Sequence, residues 1–176
     1  MTVRKLKPVT PAQRFTIVNG FDAITVSKPE KSLLRFLKKT GGRNNSGKMT
    51  VPHRGGGHKR RYREIDFKRN KFEIEGQIVS IQYDPNRTAF IALVKYTDDE
   101  KRYIIAQNGL KVGQKIISGQ NVPPDIGNAM PLSSIPLGTI ISCIELKPKK
   151  GASIARSAGT FAQLMLSLIH ISEPTR

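Results

Sequence analysis

The distribution of charge constrains this chain most, because its positive charge is concentrated in the first 71 residues. Residues 1–71 contain 19 Lys and Arg against 4 Asp and Glu, a net charge of +15, whereas residues 72–176 contain 11 against 9, a net charge of +2. Like charges at this density repel one another, and the segment has few apolar residues, so we expect it to form no hydrophobic core of its own. The sequence therefore predicts a basic N-terminal extension, residues 1–72, followed by a folded region of nearly neutral charge.

Length and composition restrict the class of protein further. The 176 residues, 38% of them hydrophobic, allow one ordinary domain or two small barrels with a buried core. No apolar stretch approaches the roughly 20 residues of a membrane helix, no apolar signal segment follows the N-terminal charges, and one cysteine excludes an internal disulfide. We expect a soluble intracellular protein without membrane contact. A net charge of +17 and a pI near 10.4 indicate a polyanionic partner.

The segment after residue 72 has the pattern of β-strands. Alternation over residues 73–83 and β-branched or aromatic runs at 89–96, 101–106, 115–118 and 138–146 predict five strands. Five short strands favour a small closed barrel over an open sheet, because closure removes exposed strand edges. We therefore predict a mostly β fold with a five-stranded barrel over residues 73–146. Upstream, Pro29 and the leucines at 33–37 predict a helical turn or two.

Residues 43–63, RNNSGKMTVPHRGGGHKRRYR, carry the strongest functional signal. Nine of these 21 positions are Lys, Arg or His: Arg43, Lys48, His53, Arg54, His58, Lys59, Arg60, Arg61 and Arg63. Three consecutive glycines allow backbone amides to approach phosphate oxygens: Gly55, Gly56 and Gly57. A solvated charge run would not account for glycines between two pairs of His and basic residues. We therefore interpret the segment as a polyanion-binding element, with RNA as the expected ligand.

Neutral and aromatic side chains in the same region support RNA as the ligand. Four donors or acceptors suit sugars and base edges: Asn44, Asn45, Ser46 and Thr50. Two aromatic rings set among arginines are able to stack on unpaired bases: Tyr62 and Phe67.

Other chemistries have less support in the sequence. The triple glycine lacks the Gly-Lys-Ser/Thr ending, the preceding strand and the following helix of a nucleotide-binding loop. His53 and His58 lack the further ligands that zinc needs, and Cys143 alternates with apolar residues as a core side chain does. No nucleophile is arranged with the carboxylates of the predicted turns. We expect no enzymatic activity, no small-molecule substrate and no cofactor.

Residues 43–63 and the segments that follow closely resemble the signature of a known family, the second protein of the large ribosomal subunit, in a bacterial or organellar version. The resemblance covers residues 1–165. It is carried by residues 43–63 and 65–71 and continues through the strings at 83–87, 91–94, 102–106, 109–113, 127–132, 135–139, 145–148, 155–160 and 162–164.

The resemblance implies a structural component of the large, 50S-type ribosomal subunit that binds 23S-type ribosomal RNA. Such a protein supports subunit association, tRNA placement and assembly of the peptidyl transferase centre, while the chemistry of peptide bond formation belongs to the RNA. It contacts ribosomal RNA and neighbouring ribosomal proteins on a cytoplasmic or organellar ribosome, and Mg²⁺ is bound only through the RNA. The resemblance implies that the basic N-terminal extension, residues 1–72, threads the RNA. The implied fold of the rest is an OB-like barrel over residues 73–146, followed by an SH3-like barrel that starts at residue 147.

The resemblance also extends the set of implied RNA contacts beyond residues 43–63. The additional positions near the extension and the barrel are Lys68, Arg69, Lys71 and Arg87. A second binding segment between the two barrels contains Arg156, Ser157, Gly159 and Thr160.

The last residues depart from the family's pattern. After Met165 the sequence reads LSLIHISEPTR, which resembles non-native coding rather than the continuation of a second barrel. We therefore expect residues 147–165 to form only the start of an SH3-like barrel and residues 166–176 to be a non-native tail.

An alternative hypothesis is a stand-alone OB-type single-stranded-RNA-binding protein or RNA chaperone. Such a protein would bind RNA on the barrel face without the basic extension. The aromatic residues available for that face are Tyr83, Phe90, Tyr96 and Tyr103.

Overall fold

The computed structural model of the protein describes residues 3–165, which are built mainly from short β-strands and loops. In chain order the strands are β1 (Val3–Lys5), β2 (Ile17–Asn19), β3 (Leu34–Phe36), β4 (Arg61–Arg63), β5 (Gly76–Gln82), β6 (Ile91–Tyr96), β7 (Lys101–Ile105), β8 (Lys115–Ile116), β9 (Ile140–Ile141) and β10 (Ala162–Gln163). Single 3₁₀ turns occupy Gln13–Phe15, Lys31–Leu33 and Leu132–Ser134. The mostly β class is confirmed. The predicted non-native tail, residues 166–176, lies outside the described residues.

In the described residues, helical structure is confined to these short turns. The helical turn or two predicted near Pro29 is a single 3₁₀ turn, after which the chain enters β3 directly. Within residues 3–165, no helix has the length and hydropathy needed to cross a membrane.

A four-stranded antiparallel sheet in the order β7-β6-β5-β8 forms the centre of the fold. Its strands correspond to the first four that the residue pattern predicts. The register between β5 and β6 shifts between Ile78 and Ser80, so Val79 is an extra residue in β5. A bulge of this kind bends its strand and increases the local twist. The sheet accordingly curls into a half-barrel of the OB-like type.

The predicted fifth strand, residues 138–146, does not join this sheet. Its β9 portion pairs with β10, and Ile144 forms an isolated bridge with Ile154. Between these two pairings, Cys143 has a φ of 57°, which no continuous strand accommodates. The central sheet therefore has four strands in the described part of the chain rather than the five of the predicted barrel.

The sheet is buried on both faces, and β6 supplies side chains to each. One hydrophobic cluster consists of Ile78, Ala92, Val94, Tyr96, Ile104, Leu110 and Ile116. The other consists of Ile65, Ala89, Ile91, Leu93, Tyr103 and Ile105. Successive side chains of a strand point to opposite faces, so a central strand with apolar residues at five of its six positions fits this arrangement. Because Ile65 precedes the sheet, the second cluster depends on the end of the basic extension.

The basic extension also covers β7, at one edge of the sheet, and the part of β5 that β8 leaves unpaired. At β7, Ile65 forms a parallel bridge with Tyr103, and the Asp66 N–H donates to the Tyr103 carbonyl at 2.8 Å. At β5, beyond the part that pairs with β8, the Thr25 N–H donates to the Ile81 carbonyl at 3.0 Å. The Ile81 N–H in turn donates to Thr25 Oγ1 at 3.0 Å. These contacts satisfy groups that an open edge would leave free to pair with another chain.

The buried hydroxyl of Tyr103 connects the extension to the sheet. It donates to Gln82 Oε1 at 2.8 Å and accepts from the Glu30 N–H at 2.8 Å. We expect Tyr103→Phe to lower the free energy of unfolding by about 1–3 kcal/mol, because both partners lose a hydrogen bond away from water. Urea unfolding of the full chain measures this change. Tyr83→Phe is the control, since the Tyr83 ring is 48% exposed; equal midpoints for the two variants would contradict the prediction.

Candidate nucleic-acid interface

The basic segment lies on a two-stranded stem formed by β3 and β4. Leu34 pairs with Arg63 and Phe36 with Arg61, so residues 37–60 form the loop between the strands. Next to the stem, the Arg35 guanidinium donates two hydrogen bonds to the Glu64 carboxylate, each 2.8 Å long. Every residue from 43 to 60 is exposed. We call residues 37–60 the basic loop.

Gly42 closes the inner turn of the basic loop. Its carbonyl accepts hydrogen bonds from the Thr50 N–H at 2.9 Å and the Val51 N–H at 3.1 Å. The residue is buried with a φ of 75°, and a Cβ at this position would lie 2.2 Å from the Val51 carbonyl oxygen. Only glycine fits here without a shift of the backbone.

Polar side chains at the tip hold the shape of the loop. Asn44 Oδ1 accepts from Ser46 Oγ at 2.8 Å and from the Lys48 N–H at 2.9 Å. Arg43 Nη1 donates to the Gly47 carbonyl at 2.9 Å. Asn44 and Ser46, which the sequence offers as ligands for sugars and bases, thus also stabilise the turn while remaining exposed.

The triple glycine forms one wall of an open cationic cleft. The cleft is lined by Lys38, Lys39, Thr40, Gly41, Arg54, Gly55, Gly56, Gly57 and Arg60. Lys39 Nζ donates to the His58 carbonyl at 2.6 Å, which holds this ammonium beside the glycines. A Cβ added at Gly55 or Gly56 would meet no atom within 4 Å. Backbone and positive side chains are therefore both accessible to a phosphate.

Substitutions at Gly56 and Gly42 should affect different properties, RNA binding at the first and stability at the second. We expect Gly56→Val to leave the free energy of unfolding within about 0.5 kcal/mol of the unsubstituted chain and to weaken RNA binding, because the added side chain obstructs only the approach of a ligand. We expect Gly42→Ala to lower stability, because the methyl group collides with Val51. Thermal unfolding and RNA titration of both variants measure the two effects. RNA affinity unchanged in Gly56→Val would show that the glycine backbone is not approached.

Several cations predicted to contact RNA are engaged within the protein. The Asp84 side chain is fully buried, and Arg87 Nε donates to Asp84 Oδ2 at 2.6 Å. Arg63 Nη1 lies 3.5 Å from Asp84 Oδ1, and the Asn86 N–H donates to the same oxygen at 3.0 Å. The Arg63 and Arg87 side chains are only 11% and 16% exposed. This carboxylate joins β4, the end of the stem, to the turn that follows β5.

Arg69 and Lys71 are likewise directed into the fold. Arg69 Nε donates to Ser118 Oγ at 3.2 Å, and Arg69 Nη2 donates to the Gly127 carbonyl at 3.0 Å. Burial lowers the pKa of the Arg69 guanidinium from its ordinary value. Lys71 pairs with two carboxylates, those of Asp98 and Glu100. Neither cation is presented to solvent in the manner of the basic loop.

Arg69 therefore provides a direct test of structural against RNA-binding roles. We expect Arg69→Met to lower the free energy of unfolding by about 1–3 kcal/mol, because Ser118 and Gly127 lose their partner. Lys68→Met removes the same charge from an exposed side chain and should leave stability nearly unchanged. Urea unfolding and RNA titration of the two variants make the comparison. Full stability with lost RNA binding in Arg69→Met would instead identify it as an RNA contact.

The second predicted RNA-binding segment, residues 156–160, is linked to the stem of the basic loop by contacts between arginines and aromatic rings. The Phe67 ring is 5.8 Å from the Arg87 guanidinium and 4.9 Å from that of Arg156. Arg87 also lies 5.9 Å from the Tyr62 ring, and the Ala158 N–H donates to Thr88 Oγ1 at 3.1 Å. The Tyr62 and Phe67 rings, which the sequence offers for base stacking, thus contact arginines of the protein.

The structure sorts the predicted site residues into two groups. The exposed group comprises Arg43, Asn44, Asn45, Ser46, Lys48, His53, Arg54, Gly55, Gly56, Gly57, His58, Lys59, Arg60, Arg61, Lys68, Arg156, Ser157, Gly159 and Thr160. The half-buried or buried group comprises Tyr62, Arg63, Arg69, Lys71 and Arg87. Lys38 and Lys39 also line the cleft, but the sequence analysis did not select them. The sequence feature that could have indicated them is the run of residues 31–63, which contains 11 Lys and Arg and no Asp or Glu.

Across positions 3–165, no group of three or more His, Cys, Asp or Glu side chains is arranged to hold a metal ion.

A curled sheet carrying an exposed cationic loop defines a mostly β protein with a surface suited to polyanions. A family model for Ribosomal Proteins L2, RNA binding N-terminal domain, matches residues 30–118. A second, for Ribosomal Proteins L2, C-terminal domain, matches residues 125–172. The chain therefore belongs to the family of ribosomal proteins L2, as its residue pattern predicts.

Individual relatives agree with the family models. Large ribosomal subunit protein uL2 of Flavobacterium psychrophilum is 68% identical over 165 residues, which cover 94% of this chain and 60% of the relative. The proteins of the same name from Amoebophilus asiaticus and Akkermansia muciniphila are 59% and 56% identical, over 94% and 90% of this chain and 60% and 57% of the relatives. The chain thus spans about 60% of the length of the curated relatives it matches.

Proposed function

We propose that this chain is a structural component of the large ribosomal subunit and binds large-subunit ribosomal RNA through the basic loop. The observation that carries the proposal is the exposure of residues 43–60, on a stem fixed to the sheet, within a run of 33 residues that has 11 Lys and Arg and no acidic side chain. Such a surface attracts the phosphates of a nucleic acid whatever its nucleotide sequence. The exposed glycine backbone and the neutral polar side chains of the loop then favour RNA folded into a complementary shape.

A second contact is proposed for the segment that contains Arg156, Ser157, Gly159 and Thr160. All four residues are exposed, and the segment is tied to the turn after β5 through Thr88. In this function the protein supports subunit association, tRNA placement and assembly of the peptidyl transferase centre, with neighbouring ribosomal proteins as further partners. Catalysis remains with the RNA, which also holds the Mg²⁺ ions, and the site of action is the ribosome of a bacterial cytoplasm or an organelle.

The structure favours this function over binding of single-stranded RNA to the face of the barrel. Two of the four aromatic residues considered for that face, Tyr96 and Tyr103, are 3% and 0% exposed. Buried rings have no face available for a base. The basic loop is therefore the stronger candidate for the principal RNA contact.

The dependence of RNA affinity on salt tests the proposed role of the loop. Full-length chain is titrated with a folded large-subunit RNA domain, and with unstructured RNA of equal length, at several salt concentrations. We expect tighter binding to the folded RNA and a fall of log K with log salt of about 0.7–0.9 per phosphate contact. Substituting Arg54, Lys59 and Arg60 together by Ala should reduce the slope by about 2–3, because three contacts are lost.

A variant of equal charge provides the control for this titration. Replacement of Lys95, Lys111 and Lys115 by Ala removes three exposed cations from the region of the sheet. This variant should retain the original slope. Equal slopes for both triple variants would show that net charge, rather than the basic loop, governs binding, and equal affinity for folded and unstructured RNA would contradict the ribosomal role.

A further inference from the structure

Two Asn-Gly dipeptides of the chain each place a pair of mutually reactive groups side by side, outside the basic loop. They are Asn19-Gly20, at the end of β2, and Asn108-Gly109, after β7. The backbone nitrogen of the glycine is able to attack the Cγ of the asparagine before it, because glycine has no Cβ to obstruct the approach. Asparagine is accordingly one of the thermolabile residues of proteins.

Asn108 and Gly109 form the tip of a tight turn and are both exposed. Across the turn, the Leu110 N–H donates to the Gln107 carbonyl at 3.3 Å, and Gly109 has a φ of 87°. Among the described residues, no hydrogen bond engages the Asn108 side chain or the Gly109 N–H. Both reacting groups are therefore accessible to water, and no hydrogen bond has to break before they meet.

The Asn19-Gly20 pair is held more firmly. Asn19 lies opposite Val3 in the ladder of β1 and β2. Its Oδ1 accepts a hydrogen bond from the Phe21 N–H at 3.0 Å, so its carboxamide is already engaged with the backbone. This bond has to break before the Asn19 Cγ is able to turn toward the Gly20 nitrogen. The same reaction should therefore be slower at this pair.

We propose that Asn108 is a site of spontaneous covalent modification, at which the side chain cyclises onto the Gly109 nitrogen and reopens as isoaspartate. The Gly109 nitrogen loses its proton and forms a bond to Asn108 Cγ, and the side-chain nitrogen leaves as ammonia. A water molecule then opens the cyclic succinimide. Attack of water at Cγ gives aspartate, whereas attack at the main-chain carbonyl carbon gives isoaspartate. This inference is independent of RNA binding.

Isoaspartate at this position would disturb the core, because the next buried side chain follows directly. Leu110 is 7% exposed and belongs to the first hydrophobic cluster. The Ile126 side chain also lies against the turn, since a Cβ added at Gly109 would be 3.2 Å from its Cδ1. Isoaspartate inserts an extra carbon into the main chain before Gly109 and leaves a negative charge on the turn. A closely packed core does not absorb such an insertion without displacement of Leu110.

Peptide mapping of the aged full chain tests this inference. The chain is incubated at neutral and at mildly alkaline pH, digested with trypsin and analysed by mass spectrometry. Cleavage after Arg102 and Lys111 releases residues 103–111, which contain Asn108 and no other asparagine. We expect this peptide to gain the mass difference between an OH and an NH₂ group, faster at the higher pH because hydroxide removes the Gly109 proton. An isoaspartyl carboxyl methyltransferase, which does not act on ordinary aspartate, should then methylate it.

Three variants provide matched controls. Asn108→Gln keeps a carboxamide but has to close a larger ring, so the mass gain and the methylation of residues 103–111 should be lost. Asn19→Gln should leave both unchanged. Asn108→Asp supplies the negative charge without the extra main-chain carbon, so the aged unsubstituted chain should unfold at a lower urea midpoint than this variant.

The outcomes separate the site from general chemical ageing of the chain. A mass gain and methylation confined to residues 103–111, and absent from Asn108→Gln, support the inference. An unchanged mass of this peptide, or an equal or faster gain at Asn19, would overturn it. A mass gain without methylation would also overturn it, since the product is then aspartate alone. Equal urea midpoints of the methylatable aged chain and Asn108→Asp would overturn the proposed displacement of Leu110.

Discussion

The buried carboxylate of Asp84 is the interaction on which the arrangement of the exposed basic segments depends. A carboxylate with no exposure to water is tolerated only when cations and hydrogen-bond donors surround it, and Arg63, Arg87 and Asn86 supply them. Arg63 belongs to the stem of the basic loop, and Arg87 contacts the Phe67 ring beside Arg156. One buried charge therefore sets the positions of the loop, the end of the extension and the second segment relative to the sheet.

The basic extension has two structural roles that its charge would not suggest. Its apolar and polar residues complete the sheet, since Ile65 joins the second hydrophobic cluster and bridges to β7, and Thr25 bonds to the part of β5 beyond β8. Some of its cations bond to carboxylates and carbonyls of the fold, and the others are exposed to solvent. Seven Lys and Arg residues lie on the basic loop, whose two ends are held together by the paired strands of the stem. Anchoring of this kind lowers the entropy that a loop loses on binding a ligand.

Prediction from the sequence succeeded where the signal was local. Alternation and β-branched composition identified all four strands of the sheet, and the density of Lys, Arg and Gly identified the basic loop. The prediction failed at residues 138–146, because a left-handed residue, Cys143, divides an apolar run that otherwise has the composition of one strand. It also did not separate Arg69 from Lys68, neighbours of equal charge, of which Arg69 bonds Ser118 and Lys68 is exposed.

The sequence by itself determined the fold class, the family and the segment that carries the exposed charge, because composition, periodicity and motif spacing are properties of neighbouring residues. Only the tertiary structure decided which cations remain free. Whether an arginine neutralises a buried carboxylate or faces solvent depends on what lies opposite it in space: Arg63 and Asp84 are 21 residues apart in the chain, and Arg69 and Gly127 are 58 apart. Electrostatic energy follows distance and burial rather than sequence separation, so the division of the extension into anchoring and exposed cations emerged only with the fold.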